Sequence, residues 1–342
     1  MRVLIMTAIY PTPENPAFGT FVRTQVESLK QAGIDIELLL LNGRSRKWNY
    51  PKAAFQLRQR LSKGSIDLIH AHYGYVGMVA RTQWKVPVVV TYHGSDLMGL
   101  VNGRGKKALL SPLVVGAGQM LARCADAAIV QTAKMASLLS KKSNVFIIPC
   151  EIDFEVFRLI EREQARAALG LEAGKKYLLF AANPQIVVKR FPLAKAAAEE
   201  LKKQDPSIEL LVVYKEPQER LALFMNACDA LVFPSYQEGS PNVVKQAMAC
   251  NLPIVATDVG DVGEVIGNTN GCYVCKAEME EFVQRLAVIL RRRERTQGRA
   301  QVQHLARPAV AQRIIGVYEQ VLKKHEARLR GRTQANVFFA DE

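Results

Sequence analysis

Short apolar runs, each followed by a stretch with helical spacing, recur along the first half of the chain. Val3–Thr7, Ile34–Leu41, Leu68–His70, Val88–Tyr92, Ala127–Val130 and Val145–Ile148 have the length and branched composition of buried strands. Between the first two, the segment from Phe18 to Gly33 sets Phe21, Gln25 and Leu29 on one helical face, and Gly33 supplies the stop. Repeated strand–helix–strand units predict a parallel, doubly wound sheet. A polar, glycine-containing break from Gly170 to Lys176 precedes a second series. There Tyr177–Ala182, Glu209–Tyr214, Ala230–Pro234 and Pro253–Thr257 read as strands, and Leu193–Lys203, Gln218–Cys228 and Asn242–Cys250 as helices. After Pro308, Val310, Ile314, Val317 and Val321 mark a last amphipathic helix over Ala309–Lys323. The expected fold is α/β: two Rossmann-like doubly wound parallel-sheet domains facing across a cleft. Residues 1–155 form the first domain and 156–307 the second. A helix at 308–325 packs back toward the first, and 326–342 is a basic tail, poorly ordered or surface-bound.

One junction in this pattern carries chemistry. The strand Ala230–Phe233 stops at Pro234 and enters a loop with one acid, Glu238. A helix then opens, with Ser240 as the expected N-cap and Pro241 at the first helical position. It closes at Asn251, which tolerates left-handed backbone, before Leu252-Pro253 leads into the next strand. A carboxylate and free backbone N–H groups thus meet at the C-terminal end of a parallel strand, where α/β proteins bind anionic ligands.

Composition narrows the picture. The 342 residues suit two cores better than one, and 49% apolar with 23% charged residues is ordinary for a globular chain. No apolar run is long enough to span a membrane, and the N-terminus reads as a strand rather than a signal peptide, so a cytoplasmic protein is the simplest inference. The six cysteines sit mostly in apolar segments and read as buried thiols. The Cys272-x-x-Cys275 pair lies on a strand-like segment that would place the two thiols on opposite faces. The net charge of +14 comes from scattered clusters at Arg44–Lys47, Arg104–Lys107, Lys141-Lys142, Arg291–Arg295 and Lys323–Arg332. Without interleaved aromatics these fit an anionic membrane surface or a phosphate-bearing substrate better than specific nucleic-acid binding. Docking at the inner face of the plasma membrane follows as an expectation.

The segment from Glu238 to Thr257 resembles the donor-sugar loop and helix of family-4 retaining glycosyltransferases with the GT-B fold. Tyr92-His-Gly-Ser-Asp96, Ile148-Pro-Cys-Glu-Ile-Asp153 with Phe157, and Phe18-Gly-Thr20 resemble the same family in the same order. The resemblance implies a hexosyltransferase working without metal or other cofactor on a nucleoside diphosphate sugar, a UDP-sugar first among them. It makes the first domain the acceptor side and the second the nucleotide-sugar side, with a lipid-linked or polysaccharide acceptor.

Under this resemblance Glu238 contacts the transferred hexose, with Gly239 and Ser240 beside it on the donor loop. The family's second glutamate falls at position 246, where this chain has Gln246. A glutamine keeps hydrogen bonding to ribose hydroxyls but loses the carboxylate's charge. Lys189 and Arg190 are the candidates to neutralise the donor diphosphate, while Asn183 stands near the position where related enzymes carry an arginine. Gly19 would admit a phosphate or acceptor at a helix N-terminus. Asn242 and Val243 would offer backbone N–H groups, and Tyr214, Ser235 and Tyr236 the base contacts. His93 is assigned to the donor sugar, making Glu238, His93 and Lys189 the catalytic candidates. His72, beside Tyr73 and Tyr75, and Asp96 are the acceptor-side candidates. His70 is expected to pack in the sheet and Asp153 to be structural. A non-catalytic sugar-nucleotide or glycan-binding relative, or a sugar-nucleotide epimerase of the same architecture, remains the alternative.

Overall fold

A computed structural model describes residues 1–41, 49–102 and 106–338, the side chains of 332–338 excepted. The Arg44–Lys47 cluster and Arg104 lie outside the described residues. Two parallel sheets carry the fold. The first contains β1 (Arg2–Thr7), β2 (Asp35–Leu40), β3 (Leu68–His72), β4 (Val88–Thr91), β5 (Ala127–Val130) and β6 (Val145–Ile147), in the order β2-β1-β3-β4-β5-β6. The second contains β7 (Lys176–Phe180), β8 (Ile208–Val212), β9 (Ala230–Phe233), β10 (Ile254–Thr257) and β11 (Cys272–Cys275), in the order β11-β10-β9-β7-β8. Their central strands are buried on both faces, which is why they read as unbroken apolar runs rather than alternating ones.

Both sheets wind alike: the second strand of each pairs on one side of the first, the third on the other. This is the flavodoxin-type order, with a reversal of direction between β1 and β3 and again between β7 and β9. Ligand crevices open at such reversals, outside the carboxyl ends of the strands.

The halves are joined twice. Ile152 bridges Ala306 in parallel, and its N–H donates to the Leu305 carbonyl at 2.8 Å. Beside it Asp153 pairs with Arg307 at 2.6 Å while also accepting the Glu155 and Val156 N–H groups, a structural role. The last helix, Arg307–Phe338, then lays Val310, Ile314, Val317 and Val321 against Val22, Val26 and Leu29 of the Thr20–Gln31 helix. The sequence pattern stops that helix near Lys323, yet helix continues to residue 338, with residues 326–331 exposed. Past Val321 the apolar stripe is gone and Lys, Arg, Glu and Ala dominate, residues of high helix propensity that need no partner surface.

Cys272 and Cys275 lie in β11 as free thiols on opposite faces, one against Met248, the other in the core beneath the Met279–Arg292 helix. No helix among the described residues is long and apolar enough to cross a membrane.

Candidate active site

The loop after β7 folds on itself. Asn183 accepts the Gln185 N–H at 3.0 Å through Oδ1, so the side chain near the family's usual arginine position closes a turn. A single 3-10 turn, Val187–Lys189, follows and delivers the two candidate cations in different directions. Lys189 Nζ reaches Glu238 Oε1 at 2.6 Å. Arg190 has left-handed backbone (φ 51°), which turns its guanidinium away to stack 4.2 Å over Tyr236 and to donate to the Ala277 carbonyl at 3.1 Å. The two cations expected to bear on one diphosphate thus point apart, Lys189 to Glu238 and Arg190 to Tyr236. Arg190 instead lines a separate cavity of about 500 Å³ with Tyr236, Thr257, Asp258 and Lys276.

Glu238 stands on the loop after β9, beside the Asn242–Ala249 helix. That helix starts one residue later than the sequence signals suggest, with Pro241 as its cap residue and no side-chain cap. Ser240 is drawn elsewhere: its hydroxyl donates to Asp261 Oδ2 at 2.5 Å and accepts from Lys245. Lys245, only 1% exposed, also faces Asp261 at 3.6 Å. This buried Lys–Ser–Asp group pins the loop after β9 to the loop after β10, and sequence reading missed it. The available signal was a lysine on the apolar face of a short helix. The helix closes as expected, with Asn251 in left-handed geometry (φ 52°). Asn242, Val243 and Gln246 are half-buried on its exposed side.

The opposite wall comes from the first sheet. His93 follows β4, and its backbone N–H donates to Asp96 Oδ2 at 3.1 Å. Asp96 Oδ1 accepts the Gly74 N–H at 3.2 Å, so this buried carboxylate ties together the loops after β3 and β4. Burial pushes the Asp96 carboxyl up, while these N–H bonds pull it back. The His93 ring packs against Phe21 and Tyr73, with centroids 4.7 and 4.6 Å away. Its Nδ1 accepts from the Gln131 amide at 2.7 Å, and its Nε2 lies 3.1 Å from His72 Nδ1. Both ring nitrogens assigned to a sugar hydroxyl are therefore engaged by protein. His72 does not line an acceptor surface: it is 1% exposed and stacked between His70 and His93. His70 is buried in the sheet as expected, held by Tyr318 at 2.6 Å and Thr91 at 2.7 Å. Burial and mutual repulsion keep all three imidazoles neutral, with His72 pushed down to about 3. Gln131, also bonded to Cys150 Sγ, was not singled out from sequence because a lone glutamine after a strand carries no motif.

The walls touch at two glycines. A Cβ on Gly239 would lie 3.0 Å from both the Gly94 Cα and the His93 carbonyl, and Gly94 adopts φ 116°. Only residues without a side chain allow the loop after β4 and the Glu238 loop to approach this closely. Gly19 is equally constrained: a Cβ there would meet the Ile9 backbone at 2.7 Å, where the first helix packs onto the loop after β1. Tyr214, 42% exposed, lies on the loop after β8 beneath Lys215. At the crossing between halves, Glu151 accepts from the Ser28 hydroxyl at 2.9 Å, and burial raises its carboxyl to about 7.

Residues 2–149 match the family described as "Glycosyl transferase 4-like domain", and residues 171–292 match "Glycosyl transferases group 1". A D-inositol 3-phosphate glycosyltransferase of Mycobacterium marinum is 29% identical over 284 residues, 71% of this chain and 60% of that protein. The chain thus spans about 60% of the length of that relative. The putative teichuronic acid biosynthesis glycosyltransferase TuaC of Bacillus subtilis is 25% identical over 335 residues, 78% of this chain and 83% of that one. The same fold is found in a sucrose-phosphate synthase from Thermosynechococcus elongatus, with TM-score 0.79 and 20% identity over 95% of this chain and all of that one. Anabaena HepE, solved in complex with UDP-glucose, superposes with TM-score 0.61 at 15% identity, over 96% of this chain and all of that one.

Proposed function

The chain belongs to the group 1, family-4-type glycosyltransferases of GT-B fold, and on that premise we propose that it moves a hexose from a nucleoside diphosphate sugar to an acceptor hydroxyl with retention of configuration. The observation that carries this reading is the Lys189–Glu238 pair. Lys189 follows β7 and Glu238 follows β9, so the two meet at the direction reversal of the second sheet, where α/β folds take nucleotides.

In this reading Lys189 and the N–H groups at the start of the Asn242–Ala249 helix bind the diphosphate and neutralise it as it leaves. The bond from the anomeric carbon to the phosphate oxygen breaks while the acceptor oxygen bonds on the same face. The acceptor's proton passes to the departing phosphate. Glu238 accepts hydrogen bonds from the hexose and offsets positive charge developing on the ring. Neutral His93 and the backbone around Gly94 and Gly239 shape the sugar pocket. A UDP-sugar is the first donor to try, since HepE was solved with one. The acceptor is a lipid-linked glycan or a polysaccharide, in keeping with the net charge of +14.

The test pairs thermal shift against UDP-, GDP- and ADP-sugars with donor turnover by wild type and Glu238→Ala. A ligand bound by the native state raises its melting temperature. One nucleotide series is expected to stabilise both proteins, with turnover only in wild type. Stabilisation without turnover in either would mean a binding protein, and conversion of the donor without acceptor would mean an epimerase. No shift with any donor would overturn the proposal.

A further inference from the structure

The Ser111–Cys124 helix and the turn before it present an apolar face that no described residue covers. Leu109, Leu113 and Met120 are 95%, 71% and 68% exposed, and Leu110 is largely exposed as well. Monomeric proteins seldom leave so many large apolar side chains together in water. The helix contains no acid, and charge around it is one-sided. Between Asp96 and Glu151 the sequence has one acidic residue, Asp126, which is paired with Arg81 at 3.0 Å and Arg328 at 3.1 Å. Lys106, Lys107, Arg123, Lys134, Lys141 and Lys142 in the same span are all exposed. Exposed apolar side chains in a span whose exposed charges are all cationic match the interfacial layer of an anionic bilayer.

Beside this helix runs a groove of about 480 Å³, walled by Met78, Leu100, Leu113, Val114 and Ala117. Its inner end reaches Tyr73 and Asp96, the residues that pack against His93 and hold its backbone. One end of the groove thus opens on the exposed helix face and the other on the wall of the candidate cleft.

We propose that the Ser111–Cys124 helix docks on an anionic bilayer and that the adjoining groove takes the hydrocarbon chain of a membrane lipid, so that the acceptor is lipid-linked. The acceptor half of this statement rests on the transferase reading; the docking half does not. A chain lying along Val114 and Ala117 would bring the lipid's polar head to Asp96 and His93, while Lys106, Lys107 and Arg123 contact neighbouring phosphates.

Flotation of the full chain with vesicles tests it, using phosphatidylcholine alone or mixed equally with phosphatidylglycerol, and no donor. Wild type is expected to float with the anionic vesicles and only weakly with neutral ones. Leu110→Glu/Leu113→Glu/Met120→Glu changes largely exposed positions, two of them at the groove's edge, and is expected to lower binding more than tenfold, whereas Phe55→Glu, at an exposed apolar site elsewhere, leaves it unchanged. Lys106→Glu/Lys107→Glu is expected to lower binding to the anionic vesicles by about fivefold per cation and to leave neutral vesicles unaffected. Ala117→Trp, which fills the groove, is expected to keep flotation while losing uptake of NBD-labelled phosphatidylglycerol. Wild-type binding by the triple glutamate variant overturns the docking, and lipid uptake by Ala117→Trp overturns the groove. If wild type ignores vesicles and the triple variant turns a dimer into a monomer by light scattering, the face belongs to a second copy and the proposal fails. Nucleotide-induced thermal shifts on the same variants are expected to be unchanged, which separates failure here from failure of the transferase reading.

Discussion

The two walls of the cleft solve the same folding problem with opposite electrostatics. Each sits at a direction reversal of an identically wound sheet, yet the second-sheet wall is built from ion pairs and the first from neutral rings. On one side Lys189 faces Glu238, and Lys245 faces Asp261 through Ser240. On the other, three neutral imidazoles stack in a column whose hydrogen bonds end on Gln131, Tyr318 and Thr91. In the proposed reaction a donor diphosphate arrives charged and leaves more so, which suits the wall with cations. The proposed hexose and acceptor need shape and hydrogen bonding, which the other wall supplies with neutral rings and one buried carboxylate, Asp96, held by the His93 and Gly74 N–H groups.

The largest break in that contrast comes from Glu238→Gln, which keeps volume and removes charge. It is expected to lower kcat by about a thousandfold, the size seen when one electrostatic contact to a developing charge is lost. Lys189→Met should cost about a hundredfold in kcat/KM, carried mainly by donor binding. Neither is expected to change the melting temperature of the ligand-free protein much, because both side chains keep some water contact. Equal, small effects of both on turnover would sink the division of labour between the walls.

Glu151 sharpens the contrast from the neutral side, since it is a buried carboxylate whose hydrogen-bond partner is a serine hydroxyl. Its carboxyl is raised from 4.5 to about 7, chiefly by burial. The folded state therefore holds a proton that the unfolded chain has already released between these values. Stability from this group is intact below pH 4.5 and is lost as pH rises toward 7, amounting to roughly 3 kcal/mol. Glu151→Gln is expected to match wild type in urea denaturation near pH 4.5 and to exceed it by about that amount at pH 8. The histidine column slopes the other way: its depressed pKa values withdraw stability as pH falls below the ordinary value of 6.5. An equal advantage of Glu151→Gln at both pH values would show that its carboxyl is not raised.

A smaller effect lies where the last helix meets the column. Tyr318→Phe removes the hydroxyl that bonds His70 Nδ1, leaving a buried ring nitrogen without a partner at a cost of about 1–3 kcal/mol. His70→Phe on top of it should restore part of the loss, since the orphaned Nδ1 is then gone while the Thr91 hydroxyl loses its His70 partner. Chemical denaturation of the two single variants and the double variant measures this directly, and additive losses would rule the coupling out.

How much of this was legible beforehand follows the range of the forces. All eleven strands lie where apolar runs placed them, to within two residues at each end, because burial on both faces leaves a continuous local mark. Glu238 and Lys189 were legible through a loop motif and a place after a strand. The Lys245–Ser240–Asp261 group, the Gln131 contact and the Gly94–Gly239 approach were not, since each joins residues distant along the chain and ordinary in type. The direction Arg190 takes was not legible for a local reason: its left-handed backbone, which sequence does not mark, turns the guanidinium away from Lys189 and onto Tyr236.

The finest test of the contrast is Gln246. It is half-buried on the same helix as Asn242 and Val243, and it stands where the family pattern places a second acid. A hydrogen bond to a carboxylate is stronger than one to an amide by about 1 kcal/mol, so Gln246→Glu should tighten binding of the nucleotide alone by about fivefold. The gain is opposed by repulsion between the new carboxylate and the diphosphate, which salt screens. Tightening is therefore expected to grow as ionic strength rises, the reverse of what a purely cationic site would show. Titration calorimetry of the two proteins at low and high salt reads both effects. If Gln246→Glu and Gln246→Ala bind nucleotide alike, the side chain does not reach the ribose, and the second wall acts on the donor through Lys189, Glu238 and backbone N–H groups alone.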